Sequence, residues 1–135
     1  MNAAQIVLIE DNPADIMLIN LALKETGIAY KLTSFPTGRD ALAFLCPPDG
    51  EAANALKPDL IFLDLNTPKS DGFEILMKLR QSPQCANVPV AIISSSPLGD
   101  KGPVLSGINR YIQKPSNLNE FLSSIGQAVK EMLVK

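Results

Sequence analysis

The chain contains no histidine. That absence removes Ser-His-Asp and Cys-His catalysis and every His-ligated metal site together, leaving carboxylates, hydroxyls and lysine as the reactive groups. Cysteine is nearly absent too. Cys46 and Cys85 stand alone with no Cys-x-x-Cys spacing, which excludes a disulfide framework or thiolate metal site and implies free thiols in a reducing compartment. There is no basic excess: 12 Lys and Arg against 14 Asp and Glu give a net charge of -2. Nucleic acid selects a basic face, so a protein partner is expected instead. No apolar run reaches membrane-spanning length, and Met1 to Gln5 lacks the charged start and apolar core of a signal peptide, so no membrane association and a cytoplasmic location are expected. At 135 residues the chain is long enough for one domain with one well-buried core.

What is present is a set of short apolar runs that end in polar groups. Leu60 to Leu65 is interrupted only by Asp64, and Asn66-Thr67-Pro68-Lys69-Ser70-Asp71-Gly72 follows as a turn. The run is too short and too evenly apolar for an amphipathic helix, so it reads as a strand buried on both faces. A carboxylate at its end is costly unless paired or metal-bound. Gln5 to Glu10 has the same form and ends in Glu10-Asp11. Val88 to Ile93 ends in Ser94-Ser95-Ser96, and Arg110 to Gln113 in Lys114-Pro115. Tyr30 to Phe35 alternates weakly and suits an edge strand.

Helical stretches lie between these runs. Asn12 caps one that has Pro13 in its first turn and Asp15 at the positive end of its dipole, with Ile16, Ile19 and Leu23 on one face and Gly27 as its stop. Thr37-Gly38-Arg39-Asp40 resembles a capping box ahead of Ala41 to Leu45. Residues from Cys46 to Pro58 make a longer, Pro-rich connection, read as an exposed insertion. Gly72 to Gln81 carries Phe73, Leu76, Met77 and Arg80 at helical spacing. A last helix is capped by Asn117 and runs to Val134, with Phe121, Leu122, Ile125, Val129 and Leu133 as its buried stripe. Strand and helix thus alternate five times. The fold class is α/β, a doubly wound five-stranded parallel sheet with helices on both faces.

In a parallel sheet all carboxyl ends share one edge, so Glu10, Asp11, Asp64, Ser94 and Lys114 converge there. Clustered carboxylates repel, and the remedies are a raised pKa, a cation, or both. Mg2+, a hard ion that takes oxygen ligands and keeps several waters, fits such a site. Lys114 supplies a fixed positive charge opposite. This is chemistry suited to a phosphoryl group, with Asp64 able to act as nucleophile.

Over nearly its whole length the chain resembles the receiver domain of two-component response regulators. The motifs are Ile9 to Asp15 (Ile-Glu-Asp-Asn-Pro-Ala-Asp), Leu63 to Gly72 (Leu-Asp-Leu-Asn-Thr-Pro-Lys-Ser-Asp-Gly), Pro89 to Ser94 (Pro-Val-Ala-Ile-Ile-Ser) and Tyr111 to Pro115 (Tyr-Ile-Gln-Lys-Pro), in the family's order. The resemblance implies the flavodoxin-like strand order 2-1-3-4-5, that of chemotaxis receivers, and a single receiver domain over 1–135 without an output domain. It implies Asp64 as phosphoacceptor, Mg2+ held by Glu10, Asp11, Asp64 and the backbone carbonyl of Asn66, and Lys114 pairing with phosphoryl oxygens. Ser94 and Tyr111 are then the switch pair, and the Lys114-Pro115 bond is cis. The chain is most similar to single-domain receivers that serve phytochrome-type histidine kinases. The donor is then such a kinase or a His-phosphotransfer protein, the output passes to a downstream protein partner, and the resemblance leaves room for a homodimer. Apart from its own phosphorylation and slow dephosphorylation, no enzymatic activity is expected.

The alternative is a degenerate receiver that docks unphosphorylated, but such proteins lose an acid or the lysine, and all are present here. A haloacid-dehalogenase phosphatase needs a second Asp two residues after the nucleophile, where this chain has Asn66. An FMN protein would want a phosphate-cradling loop after the first strand, and acids stand there instead. One departure concerns residues 96–107, where the family has its fourth helix. Gly99, Gly102, Pro103 and Gly107 make a short or irregular segment the expectation.

Overall fold

The structure is a computed structural model, and it describes residues 3–45, 57–64, 72–83, 85–94, 110–114 and 117–133. The elements run β1 (Ala4–Ile9), α1 (Pro13–Glu25), β2 (Tyr30–Phe35), α2 (Gly38–Leu45), β3 (Leu60–Asp64), α3 (Gly72–Gln81), β4 (Val90–Ser94), β5 (Arg110–Gln113) and α4 (Leu118–Leu133). All pairings are parallel, and the order is β2-β1-β3-β4-β5, as expected. Parallel strands need crossover connections, and α1, α2 and α3 supply those from β1 to β2, β2 to β3 and β3 to β4. Residues 96–107 between β4 and β5, where a short or irregular segment is expected in place of the family's fourth helix, lie outside the described residues, as do Cys46 and the insertion after it up to residue 56.

Helix ends follow local chemistry. The Asn12 side chain accepts from the backbone N–H of Ala14 at 2.8 Å and of Asp15 at 3.3 Å, satisfying two donors that the first turn leaves open. Gly27, at φ 76, turns the chain out of α1 through a backbone region that side chains disfavour. Thr37 Oγ1 accepts from Asp40 N–H at 3.1 Å, and Asn117 Oδ1 from Glu120 N–H at 3.2 Å.

The period-two alternation of the strands sorts the core into two layers. Ile6, Leu8, Leu60, Phe62, Ala91, Ile93 and Ile112 face α1 and α4, meeting Ile19, Ala22, Leu23, Phe121, Ile125, Ala128 and Val129. Val7, Ile9, Ile61, Leu63, Val90 and Ile92 face α2 and α3, meeting Ala41, Leu45, Ile75, Leu76 and Leu79. β2 is the edge strand that its weak alternation indicates, with Lys31 and Ser34 exposed and the other four residues half-buried.

Three readings need correction. β4 begins at Val90 rather than Val88; Val88 is buried in the preceding turn, so its apolar character serves packing without strand pairing. The buried face of α3 is Ile75, Leu76 and Leu79, whereas Met77 is exposed. Arg80 does not extend an apolar stripe: its Nη1 donates to the carbonyls of Cys85, Ala86 and Val88 and closes the α3–β4 turn. Cys85 is a buried thiol beside these groups.

Candidate functional site

Strand register puts the polar groups at one level. Ile9 pairs with Leu63, so Glu10 comes opposite Asp64; Asp64 itself pairs with Ile93. Ser94 pairs with Gln113, one residue short of Lys114, whose N–H donates to the Ser94 carbonyl at 2.7 Å. Alternation then chooses the face. Glu10, Asp64 and Lys114 continue the rows Ile6-Leu8, Leu60-Phe62 and Ile112, which face α1 and α4. Ser94 and Tyr111 continue the other rows, and Tyr111 packs half-buried against the layer under α2 and α3.

Glu10 and Asp64 are buried, at 2% and 1% exposure, among aliphatic side chains. Two carboxylates cannot stay there uncompensated. Lys114 compensates: its Nζ lies 2.9 Å from Asp64 Oδ2 and 3.5 Å from Glu10 Oε1. A third acid completes the arrangement. Asp15 Oδ2 is also 2.9 Å from Lys114 Nζ. Among the described residues, Glu10, Asp15 and Asp64 form a group in which one carboxylate oxygen from each lies within 4.8 Å of the other two.

The electrostatic consequences follow from burial and charge. Burial, a hydrogen bond with Asp64 and its negative charge push the Glu10 carboxyl up to about 8, against the pull of Lys114. Burial works against the Lys114 ammonium, but its bonds to Asp64 and Asp15 and the charges of Asp64 and Glu10 outweigh that, so its pKa stands above the ordinary lysine value. Clustered hard oxygen donors are what a divalent ion such as Mg2+ takes, and metal binding at Glu10 would displace its proton.

The structure brings Glu10, Asp64 and Lys114 together and keeps Ser94 buried on the neighbouring strand. Asp11 is exposed and outside the three-acid group; its backbone N–H donates to Glu10 Oε2 at 3.1 Å. Asn66 and Pro115, and with Pro115 the expected cis bond, lie outside the described residues. From the sequence, Asp15 reads only as an acid at the positive end of the helix dipole. Its place beside Lys114, 99 positions away, is a product of the α1 crossover; the one local signal was an acid a helical turn beyond a strand-end acid.

Comparison with known proteins agrees with this geometry. The family profile described as the response regulator receiver domain matches residues 6–126. The response regulator Rcp1 of Synechocystis sp. is 36% identical over 124 residues, covering 89% of this chain and 82% of the relative. The crystal structure of the phosphorylated cyanobacterial phytochrome response regulator RcpA superimposes with a TM-score of 0.86 at 36% identity, covering 98% of this chain and 96% of that one. The Mn(2+)-bound form of Rcp1 gives 0.81 at 33% identity, over 98% and 95% of the two chains. A fold, a strand-end acid cluster with its lysine, and a profile spanning nearly the whole chain thus agree, and the chain belongs to the response regulator receiver domain family.

Proposed function

We propose that residues 1–135 form one receiver domain that accepts a phosphoryl group on Asp64 and relays the signal to a downstream protein. The observation that carries this is the buried Asp64 carboxylate with the Lys114 ammonium 2.9 Å away. An Asp64 oxygen attacks phosphorus, the donor's N–P or O–P bond breaks as the O–P bond to Asp64 forms, and an acyl phosphate results. Lys114 is placed to neutralise the equatorial oxygens where charge builds up. Glu10 and Asp64, with Asp11 and the Asn66 carbonyl, are the groups proposed to hold Mg2+, which supplies further neutralisation of those oxygens when bound. Ser94 and Tyr111, buried and half-buried on the adjoining strands, are the proposed switch pair, responding to the charge that phosphorylation adds.

With no histidine in the chain, a phosphohistidine donor must be a separate protein. A histidine kinase or His-phosphotransfer protein fits, and the likeness to phytochrome response regulators makes a phytochrome-type kinase the first candidate. No described helix is long and apolar enough to cross a membrane, and a cytoplasmic site of action is proposed with that kinase. Intact mass after incubation with Mg2+ and acetyl phosphate is the test. Wild type should gain one phosphoryl group and Asp64→Asn none, while ATP and Mg2+ alone should label neither. Equal labelling of the variant rejects Asp64 as acceptor.

A further inference from the structure

The Lys114 ammonium is shared. Its distances to Asp64 Oδ2 and Asp15 Oδ2 are both 2.9 Å, and Glu10 Oε1 is farther, at 3.5 Å. Asp15 belongs to α1, and its backbone N–H is fixed by the Asn12 cap, whereas Asp64 belongs to β3. One lysine thus ties the first turn of α1 to the sheet edge. The geometry points to Asp15 as a positioning residue that holds Lys114 at the mouth of the site and competes with Asp64 for its charge.

This inference rests on Asp64 as phosphoacceptor. Lysine is a flexible stem carrying a compact charge with three donors, so a second fixed acceptor narrows where the ammonium sits before a phosphoryl group arrives. Phosphorylation then adds negative charge at Asp64 and draws Lys114 toward the new oxygens. Asp15 pulls the other way, and its own charge repels an incoming anion whose target lies only a few ångströms off. Placement and opposition separate chemically. Asn at 15 keeps an oxygen that can accept from the ammonium but removes the charge; Glu keeps the charge.

At saturating Mg2+, Asp15→Asn should therefore be phosphorylated by acetyl phosphate faster than wild type, on the order of threefold to tenfold for a partly screened unit charge at this range. Added salt should shrink the gain, and Asp15→Glu should stay near wild type. A structural role alone would not follow side-chain charge in this way. Equal or slower labelling of Asp15→Asn, or an equal gain in Asp15→Glu, overturns the proposal. A second measurement needs neither metal nor phosphoryl donor. Melting temperatures of Asp15→Asn, Lys114→Gln and the double variant form a cycle. The double variant should lose less than the two single changes added together, and additivity overturns the proposal. Failure of wild type to label at all would instead fall on the Asp64 assignment, because the melting cycle does not depend on it.

Discussion

Glu10 shows how one buried side chain sets the solution behaviour of the site. Its carboxyl is pushed up to about 8 by burial and by Asp64, so the folded, metal-free protein holds a proton there that the unfolded chain releases near the ordinary value of 4.5. The stability tied to that proton is full below the unfolded value and is lost as pH rises through the folded one. In EDTA the melting temperature should fall between about pH 5 and about pH 9, and saturating Mg2+ should flatten that fall. Mg2+ affinity, followed by calorimetry, should in turn rise toward about tenfold per pH unit below the Glu10 pKa, with proton release on binding. Glu10→Gln should abolish both slopes. A pH-independent Mg2+ affinity in wild type would show that Glu10 is already ionised in the empty site.

At the scale of elements, the approach of α2 to α3 rests on a missing side chain. Gly38, the first residue of α2, lies against Ile75 of α3, and a Cβ there would overlap the Ile75 side chain. Ile75 is buried among Leu76, Leu79 and Ala41, so it has little room to withdraw. Gly38→Ala should cost about 1–3 kcal/mol by overpacking, in spite of alanine's better helix propensity. Ile75→Val removes the Cδ1 methyl nearest the new Cβ but keeps the carbon at the Cγ1 position, the next nearest. The double variant should recover part of the loss in urea melts, and full additivity would place the strain elsewhere. The turn after α3 is held differently, by one guanidinium nitrogen satisfying three carbonyls.

For the molecule as a whole, stability comes from the two apolar layers, and the acid–lysine cluster sits at the edge they share. Phe62 is fully buried on the α1/α4 face of the central strand, two residues before Asp64. Phe62→Ala should destabilise by about 3–5 kcal/mol. Because the register of β3 against β1 and β4 is anchored along its length, any folded fraction should still label at Asp64. Denaturant melts and intact mass on the same sample check both halves of this expectation.

The sequence by itself determined the class of fold and the identity of the central groups. Short, fully apolar runs bounded by turn residues, such as Leu60 to Leu63, read as strands covered on both faces, and their polar ends must share an edge once the sheet is parallel. Caps at Asn12, Thr37 and Asn117 were legible because capping is a contact across a few residues. Tertiary structure decided what depended on facing and distance. Whether Met77 or Ile75 turns inward is set by the rotation of α3 against the sheet. Whether Asp11 or Asp15 joins Lys114 is set by where α1 crosses it. A helix-dipole acid and an acid sharing the central lysine look alike in one dimension. Only the packed crossover brings residues 15 and 114 within hydrogen-bond reach.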